Sequence, residues 1–338
     1  VSSARRRYDL AGIGSMVVDQ IFRVPRFGGA EEKVLLEARG GEPLVRTTVG
    51  GVALNHLAWA RVMGLRVAIF GVQADDPEGR FLREGIDRLG IERHIDLGGS
   101  ASSFAQVYVD ARGERAIYMA RGATGELTPD HIDLSFLPVI ESSAVVSSEI
   151  SQVPLAAVRR VFERAHAAGA RTVLDLDVPR SDAVPALGSD EEFEAVLGLA
   201  DILKPSQGAL GWLDDAASPG DAAGELAQRY GCALVAVTLG AEGALVWSAE
   251  GTSRAPAASV EVRDTTGAGD AFLGGFVAGL SRGLDPAEAA LLGNACGAVC
   301  CEQLGAFPED PEDCRKRALA HFRALGGPEL AFPAEGGT

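Results

Sequence analysis

The chain reads as an α/β protein built on a mostly parallel central sheet with helices on both faces. Two observations predict it. From about residue 154 onward, stretches with helical spacing alternate with short buried runs, the pattern of parallel strands joined by crossover helices. Earlier, residues 104–109 and 116–119 alternate apolar and polar side chains around Ala111-Arg112-Gly113-Glu114, a hairpin standing outside that pattern. At 338 residues the chain has room for one large domain and a small appendage.

Taken in order, residues 8–14 form a buried strand ending in a glycine turn, and 17–24 and 47–49 form short strands around a Gly- and Glu-rich loop. Residues 52–63 are helical and 67–70 a strand. Residues 77–89 begin with Pro and place Phe81, Leu82, Ile86 and Leu89 at helical spacing. After the hairpin, Leu155, Val158, Phe162 and Ala165 make a helix face, and 172–176 a buried strand. Strands follow at 201–203, 234–238 and 244–247. Two long helices, about 267–282 and 286–302, precede a C-terminal helix, and the Gly- and Pro-rich last dozen residues read as disordered.

The net charge of −16, from 31 basic and 47 acidic residues, argues against binding nucleic acid or an anionic membrane, both of which need a basic face. An anionic cofactor must then be received locally, by N–H groups, a few cations and a metal. Cys232, Cys296, Cys300, Cys301 and Cys314 are odd in number and irregular in spacing, so they suggest no disulfide framework. No histidine lies near Cys296, Cys300 and Cys301, which favours buried or interface thiols over zinc. The longest apolar run, 271–280, is cut off by Arg282, and Arg5-Arg6-Arg7 has no apolar core behind it. The expectation is a soluble, cytoplasmic protein.

The densest signal is Asp264-Thr265-Thr266-Gly267-Ala268-Gly269-Asp270, running directly into an apolar helix. Glycine lets backbone approach a ligand closely, and the first turn of a helix carries unpaired N–H groups and the positive end of the helix dipole. Gly267, Ala268 and Gly269 therefore form a candidate cradle for a transferring phosphate. Asp270 stands where it can accept a proton from an attacking hydroxyl. All seven residues resemble the D-T-x-G-A-G-D signature of the ribokinase-like (PfkB) carbohydrate and nucleoside kinases.

That resemblance covers nearly the whole chain and implies a ribokinase-like three-layer sandwich. The main domain would comprise residues 1–17, 49–101 and 123–326. A discontinuous β lid over the sugar would comprise 18–48 and 102–122, leaving 327–338 as a flexible tail. It implies a kinase transferring the γ-phosphoryl of ATP to a hydroxyl of a sugar or nucleoside, with Mg²⁺ and in some relatives a monovalent cation such as K⁺. An exposed lid sheet often pairs in relatives, so a homodimer through the lid is an expectation as well.

Several further segments match. Asp19 ends Gly14-Ser15-Met16-Val17-Val18-Asp19 after the first strand, where a carboxylate can accept hydrogen bonds from sugar hydroxyls. Gly50-Gly51-Val52-Ala53-Leu54-Asn55 resembles the family's first signature, with Gly50, Gly51 and Asn55 against the sugar; Val52 replaces the lysine of ribokinases proper. Glu149 and Arg121 stand at a strand end and a hairpin end as substrate contacts. Thr238, Gly240 and Gly243 resemble the T-x-G-x-x-G nucleotide loop, Asn294 a position near adenine, and Lys204 of Lys204-Pro205 a lysine approaching phosphates. Asp264 and Thr266 resemble monovalent-cation positions.

One departure separates the chain from its relatives. The N-x-x-E that follows Lys-Pro in the family, and helps organise Mg²⁺, is here Ser206-Gln207-Gly208-Ala209. Asp177, in Asp175-Leu176-Asp177, could restore the missing charge as a hard oxygen ligand. The rival expectation is a weakly active or non-catalytic sensor of a sugar or nucleotide. A nicotinamide dehydrogenase fails because Val17 replaces the third glycine of the fingerprint near Gly12.

Overall fold

A computed structural model describes residues 6–36, 44–110, 112, 115–210 and 218–332. Along the chain, β1 (Tyr8–Ile13) leads to β2 (Val17–Arg23), β3 (Val45–Gly50), α1 (Val52–Val62), β4 (Val67–Gln73), α2 (Pro77–Arg88) and β5 (Glu92–Leu97). The hairpin β6 (Ser103–Val109) and β7 (Arg115–Ala120) follows. Short helical turns, among them α3 (Pro129–His131) and α4 (Leu137–Glu141), precede β8 (Ser143–Ile150). The alternation then runs through α5 (Leu155–Ala167), β9 (Arg171–Leu176), α6 (Arg180–Leu187), α7 (Asp190–Leu197), β10 (Ile202–Pro205), α8 (Pro219–Tyr230) and β11 (Leu234–Thr238). Finally come β12 (Ala244–Ser248), β13 (Gly251–Ala255), α9 (Ala268–Ser281), α10 (Pro286–Cys301) and α11 (Pro311–Ala324).

The main sheet has nine strands in the order β13-β12-β11-β10-β9-β8-β1-β4-β5. It is parallel except at β12 and β13, where the connections are short enough for antiparallel turns. Alternate residues of each strand feed two apolar layers. On β9, Leu174 and Leu176 join one layer with Phe162 of α5 and Phe193 of α7. Val173 joins the other, with Trp59 of α1 and Phe276 of α9. The result is the three-layer α/β arrangement expected from the alternation.

A second, smaller sheet has the order β3-β2-β6-β7 and draws its strands from two separate stretches of the chain. Its β2 and β6 run parallel, which no local hairpin can supply. The pairing aligns Thr48, Asp19, Ala105 and Met119 in one row across the four strands. Part of the segment between β2 and β3, most of the hairpin tip and the final residues of the expected tail, 333–338, lie outside the described residues.

Several elements were not anticipated. The edge strand β13, Gly-Thr-Ser-Arg-Ala, has four exposed residues and no apolar alternation; β5 mixes charged side chains with a single isoleucine at its centre. Helices α6, α7 and α8 bury only a few apolar residues each against the sheet, so their stripe is too sparse to read.

Candidate active site

The start of α9 is set by backbone geometry. Gly267 is its N-cap, with φ 74°, and no side chain caps the helix. A Cβ at Gly267 would lie 2.1 Å from the Cβ of Ala306, so both the left-handed backbone and the packing require glycine. Among the described residues the N–H groups of Gly267, Gly269 and Asp270 have no acceptor. The Ala268 N–H makes a long bond, 3.3 Å, to the Thr265 carbonyl, so of the three expected cradle donors it is the one partly engaged within the turn. Small residues lock the helix behind this end: a Cβ at Gly274 would come 2.4 Å from the His56 carbonyl oxygen of α1.

Asp270, in the first turn, is 8% exposed. Its Oδ2 accepts a 2.8 Å hydrogen bond from Asn55 Nδ2. Behind it lies a buried ion pair, Lys204 Nζ to the two oxygens of Asp175 at 2.8 and 3.0 Å. Burial, and then the Asp175 charge, hold the Asp270 carboxyl well above the usual carboxylate range, with Lys204 and the Asn55 bond opposing them. Burial pushes Asp175 up to about 6 against the pull of Lys204. Lys204 keeps its proton: burial opposes the charge, but Asp175, Asp177 and Asp270 outweigh it.

Lys204 differs from its sequence expectation. It is 1% exposed, and its ammonium sits under Gly269, where an added Cβ would be 3.0 Å from Nζ. It therefore lies beneath the helix end rather than in the wall of an open cleft. Asp177, two residues beyond Asp175 and just past the end of β9, is exposed, and its charge is felt by Asp175, Lys204 and Asp270.

On the small-sheet side, Asp19 stands on β2 with no hydrogen-bond partner among the described residues. Burial and the Asp264 charge push its carboxyl up to about 7. Gly50 gives it room, since a Cβ there would lie 2.0 Å from Asp19 Oδ2. Gly51, φ 107°, would put a Cβ 2.3 Å from the Ser15 carbonyl oxygen, so the turn into α1 needs glycine too.

Glu149 corrects an expectation. It is fully buried, and its carboxylate accepts from Ser15 N (3.0 Å), Ser15 Oγ (2.9 Å), Ala53 N (2.9 Å) and Ser151 Oγ (2.9 Å). Four donors fill its acceptor positions, so it clamps β8 to the β1 and α1 turns and has none left for a substrate. Arg121 is exposed at the end of β7.

A cleft of about 540 Å³ opens on the other side of the α9 end. Thr238, Gly240, Gly243 and Asn294 line it, together with Ala268 and Gly269. Gly243, φ 93°, packs so that a Cβ would be 2.1 Å from the Ala255 carbonyl oxygen. Asn294 Nδ2 donates to the carbonyls of Ala255 and Pro256 at 2.8 and 3.0 Å, fixing one wall. Arg115, from β7, reaches into the same cleft and donates to Thr266 Oγ1 at 2.7 Å.

The metal candidates divide. Ser206 Oγ accepts from the Ala209 N–H at 3.2 Å and caps a short turn, and Ala209 is 1% exposed in the core. Neither position presents an outward oxygen comparable to the family's glutamate; Asp177 is an exposed carboxylate, a hard oxygen donor, and among the described residues no group of three or more His, Cys, Asp or Glu is placed to hold a metal ion. Asp264 Oδ1 accepts from Thr266 N and Oγ1 at 2.9 and 2.6 Å, and Oδ2 from Gly305 N at 3.0 Å. Arg115 also donates to the Thr266 hydroxyl, so both side chains are engaged within the turn, while Asp264 Oδ2, with one donor, keeps an acceptor position open.

Sequence reasoning missed three residues of this region. Asp175 reads as one half of a doublet with Asp177, and only the fold reveals it as the partner of Lys204. Arg115 opens β7 directly after the hairpin turn and carries no signal of its own. Gln152 is 2% exposed, touches Met119 of the small sheet through Nε2 at 3.6 Å, and leaves its carbonyl oxygen buried without a partner.

Comparisons with known proteins agree with this architecture. The family model described as pfkB family carbohydrate kinase matches residues 8–313. The aminoimidazole riboside kinase of Salmonella typhimurium is 32% identical over 284 residues, covering 78% of this chain and 84% of the relative. The fructokinase of Vibrio alginolyticus is 32% identical over 295 residues, covering 83% and 91%. Among solved structures, the adenosine kinase from Sinorhizobium meliloti superposes with a TM-score of 0.77 at 27% identity, over 94% of this chain and 99% of that one. The Arabidopsis thaliana ribokinase complexed with ribose and ATP shares the fold, with a TM-score of 0.75 at 21% identity over 94% and 99%. The chain belongs to the pfkB family of carbohydrate kinases, enzymes that transfer phosphate to a hydroxyl group.

Proposed function

We propose that this protein is an ATP-dependent kinase that transfers the γ-phosphoryl group to a hydroxyl of a sugar or nucleoside held between the strand ends and the small sheet. The observation that carries the reading is one juxtaposition. The uncapped end of α9 separates a 540 Å³ cleft, lined by Thr238, Gly240 and Asn294, from the buried carboxylate of Asp270. ATP would lie in the cleft with its phosphates toward the α9 N–H groups. The acceptor would lie on the Asp19 side, under the segments 18–48 and 102–122, which act as a lid over the main domain and exclude water.

In the reaction, the attacking hydroxyl gives its proton to Asp270 while its oxygen bonds to the γ-phosphorus. The bond from phosphorus to the β,γ-bridging oxygen breaks and ADP leaves. Gly267 and Gly269 offer N–H groups to the charge on the transferring phosphoryl, and Lys204 reinforces them from beneath. Asp19, Gly50, Gly51 and Asn55 orient the acceptor. Asp177 would hold Mg²⁺, which when bound neutralises phosphate charge.

The loss of N-x-x-E supports a second reading, a sensor that binds nucleotide or sugar without turnover. The preserved Asp270 and the open N–H groups at α9 favour the enzyme. Exposed Phe104 and Tyr118, on the face of the small sheet away from the Asp19 row, support a homodimer through that sheet, which light scattering tests. For function, ADP release from ATP and Mg²⁺ is measured with fructose, ribose, aminoimidazole riboside and adenosine. Release with at least one acceptor, and its phosphate ester as product, is expected. Binding without release across the panel would favour the sensor.

A further inference from the structure

We infer that Asn55 is a positioning residue for the base: it holds one oxygen of Asp270 and leaves the other to receive the proton. The inference rests on the kinase reading and deepens it, since the sequence assigns Asn55 only to the sugar. Asn55 lies in the first turn of α1 and Asp270 in the first turn of α9, 215 residues apart. The two helices meet closely enough that a Cβ at Gly274 would come 2.4 Å from the His56 carbonyl oxygen, so the pair is carried on rigid elements.

With Asp270 ionised, as a base must be, the hydrogen bond has one direction. An ionised carboxylate only accepts, so the amide must turn its Nδ2 toward Asp270 Oδ2, as it does at 2.8 Å. Asn55 and Asp270 are 4% and 8% exposed, and the Asn55 Oδ1 is buried without a partner among the described residues. Oδ1 is thus left for a donor from outside the protein, and a substrate hydroxyl is such a donor. Asp270 Oδ1 has no hydrogen-bond partner among the described residues.

The charged and titratable groups that act on Asp270 are Asp175 of β9, Asp177 just beyond it, Lys204 of β10 and Cys300 of α10. Of these only Lys204 is cationic, and its ammonium is held by Asp175. The direct hydrogen-bond donor to the base is therefore Asn55, and its N–H favours the ionised form that can take a proton. In the reaction step, the acceptor hydroxyl transfers its proton to Oδ1 as its oxygen bonds to phosphorus and ADP departs.

The test uses the full chain with Asn55→Ala and Asn55→Ser, both checked by circular dichroism. Carboxyl-¹³C aspartate labelling, with Asp270→Asn to assign the resonance, follows the titration of Asp270 without any ligand. The midpoint should rise by about one pH unit in Asn55→Ala. With the best acceptor among fructose, ribose and adenosine, kcat should fall about 10–100-fold while KM for ATP stays within about twofold. Asn55→Ser, which keeps a small donor, should fall between wild type and Asn55→Ala in both measurements, and it carries the test alone if the alanine variant does not fold. An unmoved titration, with only the acceptor KM raised, would overturn the positioning role and leave Asn55 a plain sugar contact. A wild type without turnover on any acceptor would instead sink the kinase reading, and the ligand-free titration would still decide the role of Asn55.

Discussion

Asp19 has a charge that burial opposes and no hydrogen-bond partner among the described residues, which is what a site waiting for a hydroxyl donor requires. Burial and then the Asp264 charge push its carboxyl up to about 7 from an ordinary 3.8. A carboxyl raised in the folded state supports the fold below its unfolded value and costs stability as pH rises through about 7. Asp19→Asn should therefore melt higher than wild type, by about 1–3 kcal/mol at pH 8 after allowance for its partial exposure, and by less at pH 5. Thermal melts at both pH values check it; an equal or lower melting point at pH 8 would refute the account of this site. The same variant should bind acceptor less well. Asp19 was legible in the sequence because it sits at a strand end. The clamp role of Glu149 was not, since a glutamate after an apolar run looks the same whether it faces a ligand or four internal donors.

At the scale of elements, the decisive device is the turn into α9. Gly267 combines φ 74° with a Cβ position 2.1 Å from Ala306, so Gly267→Ala brings left-handed strain of roughly 1–2 kcal/mol and overpacking of about 1–3 kcal/mol. Gly283, at φ 81° with open space around its Cβ position, is the control that isolates strain alone. Urea denaturation should show Gly267→Ala losing more stability than Gly283→Ala, with turnover lost only in the former. Equal losses would mean that the packing against Ala306 contributes nothing. This turn was readable from its glycines and carboxylates. The α9 helix was readable from its apolar run, but not the contacts of Gly274 and Gly275 that fix it against α1 and α10. Edge strand β13 stayed hidden because an exposed strand with no buried face carries no period-two signal.

Across the whole molecule, the mostly parallel sheet with helices on both faces followed from the alternation of helices and strands, whereas the strand order and the long-range pairings did not. Lys204 with Asp175, Asn55 with Asp270 and Arg115 with Thr266 join segments 29, 215 and 151 residues apart, and no local pattern announces them. The missing N-x-x-E shows the same limit. Its glutamate position, Ala209, lies in the core at 1% exposure, so Ala209→Glu would bury a carboxylate and destabilise the fold instead of restoring a ligand. Asp177 is the better test of metal handling: Asp177→Ala should raise the Mg²⁺ concentration for half-maximal rate by about tenfold. An unchanged Mg²⁺ dependence would remove Asp177 from the site.

The central claim is that Asp270 takes the proton in a phosphoryl transfer from ATP. It is tested most directly by the turnover of Asp270→Asn with saturating ATP, Mg²⁺ and the best acceptor, alongside ATP affinity measured by calorimetry. The substitution keeps shape and hydrogen bonding but cannot accept the proton, so kcat should fall about 10²–10⁴-fold, roughly 3–5 kcal/mol of barrier, with ATP binding nearly unchanged. A fall of less than about tenfold at full ATP binding would contradict the assignment of the base.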